Sequence, residues 1–154
     1  MQTNKEVIKA LNLVLAQSLI AINQYFLHAR IVKNWGIDAL NATLSQQSIQ
    51  EMKWSDELIE RILLLGGLPN LQELGKLLIG ETVSEILSCD IKLEQHKHDV
   101  LIDAIQVCKA NRDFVSRELL VRLKDGNEEY EDWLSTQLEM IESMGIQNYI
   151  QYKV

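Results

Sequence analysis

The run Leu40-Asn41-Ala42-Thr43-Leu44-Ser45-Gln46-Gln47-Ser48-Ile49-Gln50-Glu51-Met52-Lys53-Trp54-Ser55-Asp56-Glu57-Leu58-Ile59-Glu60-Arg61-Ile62-Leu63-Leu64-Leu65 holds neither Gly nor Pro. Steps of three and four along it gather Leu40, Leu44, Gln47, Glu51, Trp54, Leu58, Ile62 and Leu65 onto one stripe, the pattern of a helix turning one face to a core. Glu51 sits mid-stripe and therefore points inward. Three further stretches repeat the pattern. One carries Leu11, Leu15, Ser18, Ile22, Tyr25 and Ala29; a second carries Val83, Leu87, Asp90, Glu94, Lys97, Leu101 and Cys108; a third carries Leu120, Leu123, Asn127, Tyr130, Leu134 and Ile141. Each apolar stripe is interrupted near its middle by polar groups, which marks a buried site or the remains of one.

Around these stripes the breakers are few and clustered, and the periodicity is helical throughout. A first helix is predicted from about Lys5 to Asn34 and a second from Asp38 to Leu65, joined by Trp35-Gly36. Gly66-Gly67-Leu68-Pro69-Asn70 and the aperiodic stretch to Gly80 predict a long crossing loop. A third helix is expected from Glu81 to Lys109. A fourth follows from Arg112 to Met144, with a weak point at Asp125-Gly126, and a short tail helix comes after Gly145. Short, long and short connections describe an all-α four-helix bundle with one crossover, as in ferritin-like folds.

Composition narrows the function classes. The 154 residues, 47% hydrophobic with a single Pro, suit one domain over 1–154. Twenty-two acidic residues against 15 Lys and Arg give a net charge of -7, which argues against nucleic acid as a ligand. The polar start Met1-Gln2-Thr3-Asn4-Lys5, with no apolar run near the ~20 residues of a membrane span, points to the cytosol. Cys89 and Cys108 fall far apart on one helix and are expected to be unpaired thiols.

A carboxylate-bridged di-iron centre in such a bundle takes one Glu from each of two helices and a Glu-x-x-His pair from each of the others. This chain offers Ser18 and Glu94 for the single positions, with Glu51-x-x-Trp54 and Asn127-x-x-Tyr130 for the pairs. Only Glu51 and Glu94 are strong ligands there. Indole nitrogen has no lone pair to donate, and two carboxylates cannot fill two iron spheres. Burying both without metal is costly unless a cation neutralises them, and Lys97, at i+3 from Glu94 on the same stripe, is the candidate. Glu94 and His98 also share a face at i+4, but His96 and His98 read as solvated helix surface, and no role is assigned to His28.

Several segments carry a family resemblance: Ala21-Ile22-Asn23-Gln24-Tyr25-Phe26-Leu27-His28-Ala29-Arg30, Lys33-Asn34-Trp35-Gly36, Ile59-Glu60-Arg61-Ile62-Leu63, Gly67-Leu68-Pro69-Asn70-Leu71-Gln72 and Leu74-Gly75-Lys76-Leu77. With Val115-Ser116-Arg117, Asp132-Trp133-Leu134 and Met144-Gly145-Ile146-Gln147-Asn148-Tyr149, they make the chain resemble bacterioferritins over nearly its whole length. The resemblance implies a hollow 24-subunit shell that stores ferric mineral, with the tail helix lining fourfold channels. Departures fall where the family keeps its ferroxidase ligands: Ser18 and Asn127 stand for Glu, Trp54 and Tyr130 for His, while Glu51 and Glu94 remain as vestigial ligands. Gln46 and Gln50 stand where many members carry His and Asp.

Other implied sites are retained. Met52 matches the methionine that ligates haem b through sulfur at a subunit dimer interface, opposite the same residue of a twofold-related subunit. One residue beyond Glu51 is a turn of about 100° around the helix, which takes Met52 off the bundle axis. Leu19, Ile22, Asn23, Phe26, Ile49 and Lys53 are expected to line that pocket. Leu68, Glu81 and Glu85 match positions where the family receives its bacterioferritin-associated ferredoxin, which passes electrons inward so that stored iron leaves reduced.

Together these features predict a haem-binding storage and electron-transfer subunit that co-assembles with a ferroxidase-competent subunit. One alternative is a homo-oligomer oxidising iron through Glu51, Glu94 and an unconventional ligand such as Tyr130. Another is a haem-holding shell with no role in bulk iron.

Overall fold

The computed structural model describes residues 4–70 and 75–154. The helices are α1 (Lys5–Asn34), α2 (Asp38–Leu64), α3 (Val83–Ala110), α4 (Phe114–Met144) and α5 (Ile146–Lys153), and no strand occurs among the described residues. Helix α1 packs along α2 and α3 along α4, while α1 also meets α3; the long connection between α2 and α3 is the crossover of a ferritin-like bundle. Helix α5 closes one end, with the Tyr149 hydroxyl donating to Gln137 Oε1 at 2.8 Å.

Capping sets the helix ends and corrects several expected bounds. Helix α3 starts at Val83 rather than Glu81 because Thr82 is its N-cap, accepting the Glu85 N–H at 3.2 Å. Helix α4 starts at Phe114 rather than Arg112 because Asp113 caps it through the Ser116 N–H at 3.0 Å. Arg112 itself is left-handed at φ 59, the conformation that Gly36 (φ 79) and Gly66 (φ 83) adopt just past α1 and α2. Helix α2 ends at Leu64, with Leu65 as C-cap, and α3 runs one residue past Lys109.

No weak point exists at Asp125-Gly126, because α4 is continuous there. A Cβ on Gly126 would run into the indole of Trp54, so this glycine serves packing rather than bending. In the crossover, residues 66–70 and 75–80 form no helix, as expected; the part of that prediction, and of the matched segments, at Leu71, Gln72 and Leu74 lies outside the described residues.

Residues 10–29 carry no Asp, Glu, Lys or Arg, and α1 is long and apolar enough to cross a membrane by length and composition. That departs from the expectation of no such run. Half of its most apolar window is buried in the bundle, and Gln17, Ser18, Gln24 and His28 interrupt it, which is the character of a core helix.

The core has two halves. One gathers Leu11, Leu15, Leu58, Ile62, Leu101 and Leu120, the other Tyr25, Leu40, Leu44, Ile86, Leu87 and Leu134. Each fully buried aliphatic side chain contributes roughly 1.5–3 kcal/mol, so the two halves hold the bundle firmly enough to carry buried polar groups where they meet. Those groups are Ser18, Glu51, Glu94, Lys97 and Asn127, all buried. Of the residues assigned to the inward stripes, Ile22, Gln47, Trp54 and Ile141 are only half-buried, at the stripe margins.

Candidate functional site

The polar layer is assembled from all four long helices. Lys97 of α3 reaches across the bundle and donates to Glu51 Oε1 of α2, and its Nζ lies 3.1 Å from Glu94 Oε2. Glu94 is held further by the Tyr25 hydroxyl, which donates to Oε2 at 2.6 Å, and by Asn127 Nδ2, which donates to Oε1 at 3.3 Å and to the Glu94 carbonyl at 2.9 Å. Ser18 lies beside Glu51 and favours its charged form. The expected pairing of Lys97 with both carboxylates is thus present. Trp54 covers it, with Lys97 Nζ 5.7 Å from the ring centroid.

One ammonium against two carboxylates leaves the layer one positive charge short of neutrality. Burial pushes the Glu51 carboxyl up to about 7, the Glu94 charge adds to the rise, and Lys97 pulls it back. Burial pulls Lys97 down, but the two carboxylates more than offset this and hold its ammonium above the ordinary lysine range. Burial also raises the Tyr25 and Tyr130 phenols, with neighbouring carboxylates adding to it. Both therefore stay protonated. The layer thus holds a protonated lysine and a proton on Glu51 that comes and goes near neutrality.

Next to it lies a network that sequence reasoning missed. His28 Nε2 accepts the Gly80 N–H at 3.0 Å, which assigns the ring proton to Nδ1, and Nδ1 donates to Asp90 Oδ1 at 2.7 Å. Gln24 Nε2 donates to the same oxygen at 2.9 Å, while its Oε1 accepts the Leu78 N–H at 2.9 Å. The three side chains fasten the end of the crossover to α1 and α3. Asp90 had been placed on the inward stripe, but its partners come from chain positions far away. His98, by contrast, points away from Glu94 and pairs with Glu128 at 2.8 Å on the surface.

Beside the layer, Gln46 and Gln50 share with Trp54, Tyr130 and Trp133 a shallow depression of about 400 Å³ between α2 and α4. Tyr130 stacks on Trp133 (5.6 Å, 9°) and meets Tyr25 edge-on at 5.4 Å. On the opposite, α1-facing side of α2, Met52 is 46% exposed, with Phe26 at 57% and Ile49 at 49%. Asn23 and Lys53 are exposed and Leu19 and Ile22 half-buried; the Ser48 hydroxyl donates to the Ile22 carbonyl at 2.8 Å and ties α2 to α1 there.

The ferritin-like domain family matches residues 8–144. The bacterial ferritin of Pseudomonas aeruginosa is 39% identical over 155 residues, covering all of both chains. The bacterioferritin of Mycobacterium bovis is 40% identical over 149 residues, 97% of this chain and 94% of its own length. The chain belongs to the bacterioferritin family. A bacterial ferritin of Neisseria meningitidis, 38% identical over 98% of each chain, agrees.

Within this bacterioferritin-type bundle the remaining predicted residues lie on the surface. Leu68 projects from the crossover, 82% exposed. Glu81 and Glu85 are exposed at the start of α3, where the Glu85 carboxylate accepts the Glu81 N–H at 3.1 Å. That contact is first-turn helix chemistry in its own right. Cys89 and Cys108 are free thiols, as expected.

Proposed function

We propose that this chain, as one ferritin-like domain over residues 1–154, is a cytoplasmic, haem-binding bacterioferritin subunit for iron storage. In this reading it builds a 24-subunit shell around a ferric mineral and leaves iron oxidation to a co-assembled, ferroxidase-competent subunit. The observation that carries it is the Lys97 ammonium between Glu51 and Glu94. The donor set does not fit a pair of iron ions: imidazole is missing, only two carboxylates face the centre, and a lysine already lies between them. No iron-oxidising step is assigned to this centre.

The outer face fits haem. A half-exposed thioether flanked by the exposed apolar side chains of Phe26 and Ile49 suits a flat macrocycle held between twofold-related copies, and Lys53 offers a cation for its carboxylates. Met52 would hold haem b through its sulfur, and the haem would supply electron transfer to the mineral. Leu19, Ile22 and Asn23 complete the pocket wall. Leu68, Glu81 and Glu85 would receive the bacterioferritin-associated ferredoxin.

One observation favours the alternative of an unconventional ferroxidase. Among the described residues, Glu51 Oε2, Asn127 Oδ1 and the Tyr130 hydroxyl are buried without a hydrogen-bond partner, so oxygen donors remain at the centre. Purifying the native particle and counting its subunit types separates the two. Co-assembly predicts a second, ligand-complete chain in the same shell; a particle of this chain alone would contradict it. Met52→Leu in the recombinant particle should abolish the haem absorption bands while leaving the shell assembled.

A further inference from the structure

We propose that Asn12, Gln24 and His28 of α1 are positioning residues that hold the crossover as a preformed docking platform for the electron-donating partner, and that Leu78 and Ile79 belong to that platform together with Leu68. This rests on the proposed reading of the chain as a haem-binding storage subunit reduced from outside the shell. Leu68 is more exposed than any other large apolar side chain among the described residues, and Leu78 and Ile79 are exposed as well. All three sit on a connection rather than a helix, the kind of segment that is mobile unless its backbone is tied down. Here it is tied at two places.

Asn12 makes the first clasp with both ends of its amide: Nδ2 donates to the Leu68 carbonyl at 3.1 Å, and Oδ1 accepts the Asn70 N–H at 2.8 Å. Gln24 and His28 make the second, accepting the N–H groups of Leu78 and Gly80 at 2.9 and 3.0 Å, with Asp90 behind them both. Each clasp pins the chain at two points, and the exposed apolar side chains ride on the pinned segments. Gly80 also lies flush on α3, where a Cβ would collide with the Ile86 backbone. Binding to a loop costs the entropy of ordering it, and preorganisation removes that cost. Apolar anchors near the centre of a contact then carry most of its binding free energy. The clasps stand about 24 Å apart along α1, with Leu19, Ile22, Asn23 and Phe26 of the proposed haem wall between them on the same helix. One rigid element therefore sets where a docked donor stands relative to the haem. Glu81 and Glu85 beside the second clasp, on a chain of net charge -7, favour a small electron-transfer protein whose apolar anchor is rimmed by Lys or Arg.

The test measures the affinity of the bacterioferritin-associated ferredoxin for the assembled particle, haem-free and haem-loaded, and compares haem reduction by that ferredoxin with reduction by dithionite, which needs no docking. Asn12→Ala and His28→Ala should each raise Kd and KM roughly three- to tenfold, the loss of about one hydrogen bond's worth of order, with kcat and the dithionite rate close to wild type. Ile79→Ser should weaken binding to the haem-free and haem-loaded particles alike. Hydrogen exchange at the Asn70 amide should accelerate in Asn12→Ala and not in Ile79→Ser. Where His28→Ala fails to assemble, Gln24→Ala, which keeps the His28–Asp90 pair, tests the second clasp. Unchanged affinity in the clasp variants, with Leu68→Ser weakened, overturns this inference and leaves the proposed function standing. A dithionite rate that falls in step with the ferredoxin rate overturns it too, since the clasps would then hold the haem seat. An Ile79→Ser particle that comes apart into smaller species overturns the place of Leu78 and Ile79 in the platform and makes them subunit contacts. A wild-type particle that binds no ferredoxin overturns the docking reading and this inference together.

Discussion

The indole of Trp54 on α2 lies against the bare backbone of Gly126 on α4, in the place a β-carbon at 126 would need. The bulk of Trp54 is accommodated by a mid-helix glycine that otherwise weakens α4. Gly126→Ala should therefore lose about 1–3 kcal/mol through overpacking, despite the gain of about 1 kcal/mol in helix propensity. In a Trp54→His background the sign should reverse. Thermal midpoints of the four proteins of this cycle measure the coupling, and additive effects would contradict the packing account.

Lys97→Met should cost about 3–5 kcal/mol near neutral pH, because it leaves buried carboxylates uncompensated. The loss should shrink in acid, where the carboxylates take up protons.

The Glu51 carboxyl gives the intact protein a pH signature. Its folded value of about 7 lies above the ordinary 4.5, so the folded state holds the proton more tightly than the unfolded chain. Stability from this group is therefore fully present below about 4.5 and declines as pH rises to about 7. Lys97, raised above its ordinary range, contributes across that window and loses its contribution only in strong alkali. Thermal midpoints of wild type and Glu51→Gln against pH should differ in slope between those values, with the flatter profile in Glu51→Gln.

The His28 and Asp90 pair predicts a local effect. Asp90→Asn or His28→Ala should weaken the hold on the crossover, costing about 1–3 kcal/mol for the unsatisfied buried partner. Amide hydrogen exchange at Leu78 and Gly80 should accelerate more than exchange in the middle of α2 or α4. Uniform acceleration along the chain would contradict the latch.

Arg112 predicts a gain. A non-glycine residue held at φ 59 is strained, and glycine relieves it, so Arg112→Gly should stabilise the protein by about 0.5–1 kcal/mol. An unchanged or lower thermal midpoint would contradict it.

How much of this was legible in the sequence depended on range. Stripes of three and four steps placed Glu51, Glu94, Lys97 and Asn127 at one level because helix geometry is local and regular, and i+3 spacing alone paired Lys97 with Glu94. Gly126 was misread as a break because its partner Trp54 lies on another helix, and tertiary packing overrode propensity there. The left-handed Arg112 gave no compositional signal. His28 and Gln24 of α1 meet Asp90 of α3 directly and anchor the crossover through its backbone N–H groups at Leu78 and Gly80, contacts between distant chain positions that no side-chain pattern foretells.

The central claim is that this subunit cannot oxidise iron by itself. The most direct measurement is Fe(II) oxidation by air in the haem-loaded, iron-free particle made from this chain alone, followed optically against a protein-free blank. The account predicts no fast phase above the blank. A rapid phase proportional to subunit concentration, lost in Glu94→Ala, would contradict it and place an active centre among Glu51, Glu94 and Tyr130.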